Sequence, residues 1–394
     1  MHKFTHKSTH KTGALLAGLF FALVVGVARS TPITPTRDDE VVEVLPASAV
    51  NRSEARRARK QLEARPRDPV LAVAVAKRYL AQAHELGDPR FAGLALAAIG
   101  GWTDEASMPD DVLMMKATLQ QYLHEFDASV RSLQVLLARP GAQSRPQAWL
   151  TLATVRRVQG RYADSDEACK QVARAGAALH SSACLAENAA LRGEVAAART
   201  TLGDLLSRPG IPVATQTWLL TTLAELEQRD GHAADADAAF RAILRTDPDP
   251  YAMVAYADFL IEQHRPLEAL TLLKDQSRTD AVLLRLAIAG SRAKAASAAR
   301  DVSEMRERIS LANERPDARK FHGREQAMFA LAVEHAPALA LDLARGNVEQ
   351  QREPLDLLVL AEAARASGQP WALDEARRLR KSIGLHDRRI DALL

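Results

Sequence analysis

The strongest constraint on this 394-residue chain is that it repeats. One unit reads Trp149-Leu150-Thr151-Leu152-Ala153, then Gly160-Arg161-Tyr162, then Ser165 and Cys169: apolar residues at helical spacing, a small residue, a glycine turn, an aromatic and a second helix. The turn recurs at Gly193, Gly231, His264, His335 and Gly368, a period of about 34 residues. A hairpin of two amphipathic helices cannot bury its apolar face alone, so units of this kind must stack into one continuous core. Composition agrees, because 47% hydrophobic residues supply a core while 5% aromatics are too few for most β-sandwiches.

Two units carry the pattern most fully. The first is Leu223-Ala224, Gly231, Ala236, Phe240, Ile243-Leu244 and Pro248; the second is Tyr256-Ala257, Arg265-Pro266, Glu268-Ala269-Leu270 and Leu273. On these residues the chain resembles the tetratricopeptide repeat family, and in particular exported bacterial proteins built from it. The resemblance implies an all-α protein, a right-handed α-solenoid of about nine helical hairpins over 69–394. Small residues such as Ala153, Ala186, Ala224 and Ala257 let paired helices approach closely. Weaker units fit at Val70–Gly100, at Val112–Pro140 with His124 at the turn, at Arg324–Arg345 and at Leu355–Leu379. Asp280–Arg315 lacks a turn glycine and fits poorly.

Residues 1–30 have the layout of a secretory signal. Lys3, Lys7 and Lys11 precede an apolar run from Ala14 to Ala28, with small residues before Arg29 and Thr31. The run is shorter than the ~20 residues that span a bilayer, so a cleaved signal and a periplasmic protein are expected, with an uncleaved N-terminal anchor as the competing reading. Residues 31–68 read as a Pro/Thr-rich leader followed by a capping helix from about Arg52 to Ala64. The formal charge is +3, yet four cations lie in 1–30 without an acid. The remainder is close to neutral, which argues against nucleic acid as a partner. Cys169 and Cys184 fall on helices that pack together in a stack, so an oxidising compartment permits a disulfide; the alternative is two small buried thiols.

No phosphate-binding loop, dinucleotide fingerprint, nucleophile elbow or His-Glu-x-x-His occurs. The expectation is a protein without catalysis, cofactor or metal. The competing function is an enzyme or metal-handling protein using His322-Gly323-Arg324-Glu325, where His322 and Glu325 share a helical face. First helices of successive hairpins line the concave side, and the residue after the small packing position is Glu187, Glu225, Asp258 and Glu362 in four units. These acids form a rail, with Trp218 and Tyr251 offering apolar or cation–π contact beside it. A basic segment of another protein or peptide is the implied partner, with no nucleic acid and no stable membrane insertion. Alternatively each acid is paired by Arg157, Arg229 or Arg365 as a self-satisfied surface. Reversing Glu225 and Asp258 to Lys is expected to leave the fold intact. The implied function is a non-catalytic interaction scaffold or assembly factor in the cell envelope.

Overall fold

The structure, a computed structural model, describes residues 47–394 apart from 142–143, 247 and 315–317. The expected signal peptide and most of the leader lie outside the described residues. Ser53–Leu394 is one compact unit, all-helical among the described residues. Helix α1 (Ala47–Ala64) starts five residues before its expected position. Nine hairpins follow. They are α2 (Pro69–Leu86) with α3 (Arg90–Ala98), α4 (Asp110–Tyr122) with α5 (Phe126–Leu137), α6 (Pro146–Val158) with α7 (Tyr162–Arg174), and α8 (Ala178–Leu191) with α9 (Val195–Leu206). Then come α10 (Val213–Arg229) with α11 (Ala233–Ile243), α12 (Pro250–Glu262) with α13 (Pro266–Leu273), and α14 (Asp280–Ala293) with α15 (Ala298–Asn313). The last two are α16 (Ala318–Ala332) with α17 (Pro337–Val348) and α18 (Pro354–Ser367) with α19 (Pro370–Ile383), before a terminal α20 (Arg388–Leu393).

Local chemistry starts and stops these helices. Proline occupies the first turn of α2, α6, α12, α13, α17, α18 and α19, where its missing N–H has no helical partner to lose. Asp68, Asp249 and Thr279 accept from the backbone N–H of Leu71, Ala252 and Val282, and Glu353 with Asp356 forms a capping box on α18. Every first helix is followed by a left-handed residue: Gly87, His124, Gly160, Gly193, Gly231, His264, Lys294, His335 or Gly368. Behind several of these the next N–H reaches back to close the helix, as Arg161 does to Arg156 O (2.8 Å) and Arg265 to Leu260 O (2.8 Å). The Asp280–Arg315 unit, a poor fit by sequence, is therefore a regular hairpin. Lys294, at φ 52°, stands where its neighbours carry glycine or histidine.

The packing seam is made of alanine. Ala117, Ala153, Ala186, Ala224, Ala257, Ala287 and Ala361 stand at one register and are buried, so the second helix of each hairpin settles directly on the first. Ser129 and Ser165 share this contact by donating to the Ala117 and Ala153 carbonyls, each at 2.8 Å. Larger side chains fill the joints, including Phe240 stacked on Tyr256 at 5.0 Å. Each fully buried Leu or Phe contributes about 1.5–3 kcal/mol.

The stack curls until it meets itself. Arg352 donates its backbone N–H to Val158 O and His386 to Leu191 O, both at 2.7 Å. At another point of closure Gly87 (φ 63°) abuts Thr279, whose Cβ would lie 2.7 Å from a Cβ added at position 87. Thr279 caps α14 and cannot move without releasing that cap. Gly87→Ala is therefore expected to cost clearly more than the ~1 kcal/mol of an alanine in the left-handed region. Gly368→Ala, at φ 68° with open space around it, is expected to show only the backbone cost. Urea unfolding of the two variants checks the difference, and equal losses would mean that the Gly87–Thr279 contact is not under constraint.

Candidate functional site

Closure leaves a half-open cavity of about 1110 Å³ to whose wall the first helix of every hairpin contributes. Its lining changes character along the stack. Around α2 and α4 it presents Leu80, Tyr122, Leu123 and Phe126, with His84 and His124. Burial holds both histidines below their ordinary range, favouring the neutral ring. From α6 onward the wall is charged, with arginines and carboxylates interleaved.

Glu187, Glu225, Asp258 and Tyr251 line this cavity, whereas Glu362 and Trp218 do not. Trp218 stacks on His180 at 6.1 Å and packs against the core of α8–α10, so it does not look into the groove. The three acids in the wall are not a free rail. Arg157 Nη2 lies 3.1 Å from Glu187 Oε2. Glu225 receives the Tyr251 hydroxyl at 2.6 Å and has Arg229 at 3.8 Å. Asp258 takes a two-pronged contact from Arg285 at 2.9 and 2.7 Å. Arg365 donates instead to the Leu393 carbonyl. Arg285 is only 2% exposed. Reversing Asp258 would leave that guanidinium buried and unpaired, at a cost of about 3–5 kcal/mol. The expectation that the fold tolerates this reversal is corrected accordingly.

Electrostatics differ from one carboxylate to the next. Burial pushes the Glu225 carboxyl up, with Glu187 and Glu353 adding to the push and Arg229 and Tyr251 opposing it. Burial acts on Glu325 in the same sense, but the Arg324 and Arg285 charges outweigh it and hold this carboxyl down to about 2. Arg324 is shared among Glu325 (3.1 Å), Glu353 (3.1 Å) and Asp356 (3.4 Å). Burial pushes the Asp356 carboxyl upward, with Arg324 opposing the push and the nearby Glu353 charge adding to it.

His322 and Glu325 do not share a helical face, because the backbone leaves helical geometry at His322 (φ −130°, ψ 17°). Glu325 is engaged by Arg324. Among the described residues the side chains that come together with metal-ligand spacing are instead Glu227, His232 and Asp235. Arg199 already sits on Glu227 at 2.5 and 2.7 Å and 3.0 Å from His232 Nδ1, so a guanidinium fills the place a cation would take.

Cys169 and Cys184 are joined as a disulfide with Cα atoms 5.8 Å apart, tying α7 to α8. A bridge closing so short a loop stabilises by about 3 kcal/mol in the chain-entropy model. It also fixes α8 one turn before Glu187. Sequence reasoning missed Arg285, Arg324 and Arg389 as wall residues. A signal for the first was present, since an arginine inside Leu283-Leu284-Arg285-Leu286-Ala287 must find an acid.

No protein-family model and no curated protein matches the chain. Among solved structures it is similar to a Rap protein complexed with competence and sporulation factor, at 11% identity over 88% of this chain and 97% of that one, with a TM-score of 0.48. It is also similar to the P58(IPK) TPR domain, at 14% identity over 85% and 95% of the two chains, with a TM-score of 0.21.

Glu325 makes acid stability testable. Its pKa is depressed in the folded state, so its contribution is complete above the ordinary carboxyl value of 4.5 and is lost as pH falls through about 2. Glu325→Gln is expected to be less stable than wild type at pH 7 and to lose less between pH 4.5 and 2. Thermal midpoints measured across that window check this; parallel curves would show that Arg324 does not hold the charge.

Proposed function

We propose that this protein is a non-catalytic binding protein of the cell envelope, a scaffold or assembly factor that holds a segment of another protein or peptide inside the coil. The observation that carries this reading is a cavity walled by all nine first helices. At about 1110 Å³ it exceeds the ~300–1,000 Å³ of small-molecule pockets. Its division into an apolar, aromatic end and a charged end suits an amphipathic segment several residues long. Glu187 and Glu225, with Tyr251 beside them, favour a segment that carries positive charge.

Two features support export. One is the Lys-rich start with its short apolar run; the other is the Cys169–Cys184 bridge, a bond that persists in oxidising compartments. No helix of the described residues is long and apolar enough to cross a membrane. The native protein is expected to begin at Arg29 or Thr31 and to carry the bridge. N-terminal sequencing with mass spectrometry of unreduced peptides decides both points, and an intact Met1 in the membrane fraction would overturn the cleaved signal.

Occupancy is tested by photo-crosslinking in the native compartment. A photoreactive phenylalanine analogue at Tyr251, which is 61% exposed and lines the cavity, is expected to capture a partner segment. The same group at Trp371, an exposed position outside the lining, is expected to capture none. Equal or no capture at the two positions would remove the cavity as the binding surface.

A further inference from the structure

Resting on the reading that the cavity takes a peptide segment, one corner of its wall narrows what that segment presents. Arg157 Nη1, the Tyr162 hydroxyl and Glu187 Oε2 make no hydrogen bond to the protein, the Glu187 oxygen having only the 3.1 Å ion contact of Arg157 Nη2. All three residues line the cavity. Tyr162 is 3% exposed, and buried polar atoms in folded proteins are rarely left without a partner. Burial pushes the Tyr162 hydroxyl up to about 12, so it keeps its proton and is a donor. Arg229 stands behind this corner, 6% exposed, with Glu225 no nearer than 3.8 Å.

The corner thus offers two donors from α6 and α7 and, from α8, a carboxylate oxygen that only the Arg157 ion contact engages. A lysine side chain would satisfy Glu187 and leave both donors unmet. A carboxylate or phosphate would satisfy the donors but face Glu187 and Glu225. A group that bears an ammonium and a carbonyl on one carbon satisfies all three. We infer that the Arg157–Tyr162–Glu187 corner recognises an α-ammonium with its adjoining carbonyl, the group found at the N-terminus of a peptide. The ammonium sits on Glu187, and the carbonyl oxygen accepts from Tyr162 and Arg157. A free amino acid carries the same group, so the ligand chemistry has two sources.

The test uses the full-length protein with its disulfide formed and native mass spectrometry against three probes. These are a randomised tetrapeptide pool with free N-termini and amidated C-termini, the same pool N-acetylated, and an equimolar mixture of the free amino acids. Retention of the free-amino pool at least tenfold above the acetylated pool is expected. Retention of the amino-acid mixture above both pools would assign the site to amino acids and keep its chemistry. Equal retention of acetylated and free peptides would overturn the inference while leaving segment binding intact, and retention of no probe would remove both. Tyr162→Phe deletes one buried oxygen that makes no hydrogen bond to the protein, so its thermal midpoint is expected to stay at or above wild type while affinity for the free-amino pool falls several-fold. Unchanged affinity in the folded variant would also overturn the inference.

Discussion

The cavity depends on how nine first helices end. A residue in the left-handed region stops each helix and sends the chain back along it, and the alanine seam then sets how closely the returning helix settles. Because both devices recur at one register, the rotation from hairpin to hairpin has the same sense throughout and accumulates into a coil. The coil is held shut by backbone groups that a helix end would otherwise leave open. Val158 and Leu191 are the last residues of α6 and α8, and their carbonyls accept from Arg352 and His386. C-terminal segments therefore serve as caps for helices some 190 residues earlier in the chain, as flagged by the pairing itself rather than by any local signal.

Ion pairs occupy the joints between hairpins, about one repeat apart in sequence. Arg157 meets Glu187 across the third and fourth hairpins, Arg199 meets Glu227 across the next joint, Asp258 meets Arg285 across the sixth and seventh, and Arg324 meets Glu353 across the last. Such pairs add little net stability where they face water. Their more definite effect is on register, because sliding one hairpin along its neighbour would leave charges such as Arg285 unpaired in the protein.

Much of this was legible. Glycine turns, alanine positions and proline starts are local signals, and they placed the hairpins. Histidine tolerates the left-handed region better than most residues, so His264 and His335 could be read as turns beside glycine. Lys294 could not, since nothing about lysine marks that conformation. The register that placed Glu187, Glu225 and Asp258 on the concave side was readable for the same reason as the seam. Their partners were only partly so. Arg157 and Arg229 lie near in the repeat, but Arg285 comes from the following hairpin, and the exclusion of Glu362 from the cavity follows from closure, a long-range event. The shared helical face expected of His322 and Glu325 is lost because i, i+3 spacing predicts one only where the backbone stays helical, and at His322 it does not, although both residues line the cavity.

The contrast between two joints separates support from recognition. Asp258 and the buried Arg285 are joined by two short hydrogen bonds, as expected of a pair whose task is to hold neighbouring hairpins. Arg157 and Glu187 bridge a joint three earlier, with the arginine on the preceding rather than the following hairpin, and share an ion contact, yet Arg157 Nη1 and Glu187 Oε2 lack hydrogen bonds, as does the Tyr162 hydroxyl between them in sequence. A joint under selection only for stability would be relieved by rotating the arginine into a two-pronged contact, because unmade hydrogen bonds in a partly buried site are destabilising. Three polar atoms without hydrogen bonds at one joint of the cavity wall point to a demand other than stability, and a partner group that completes them is what such a demand requires.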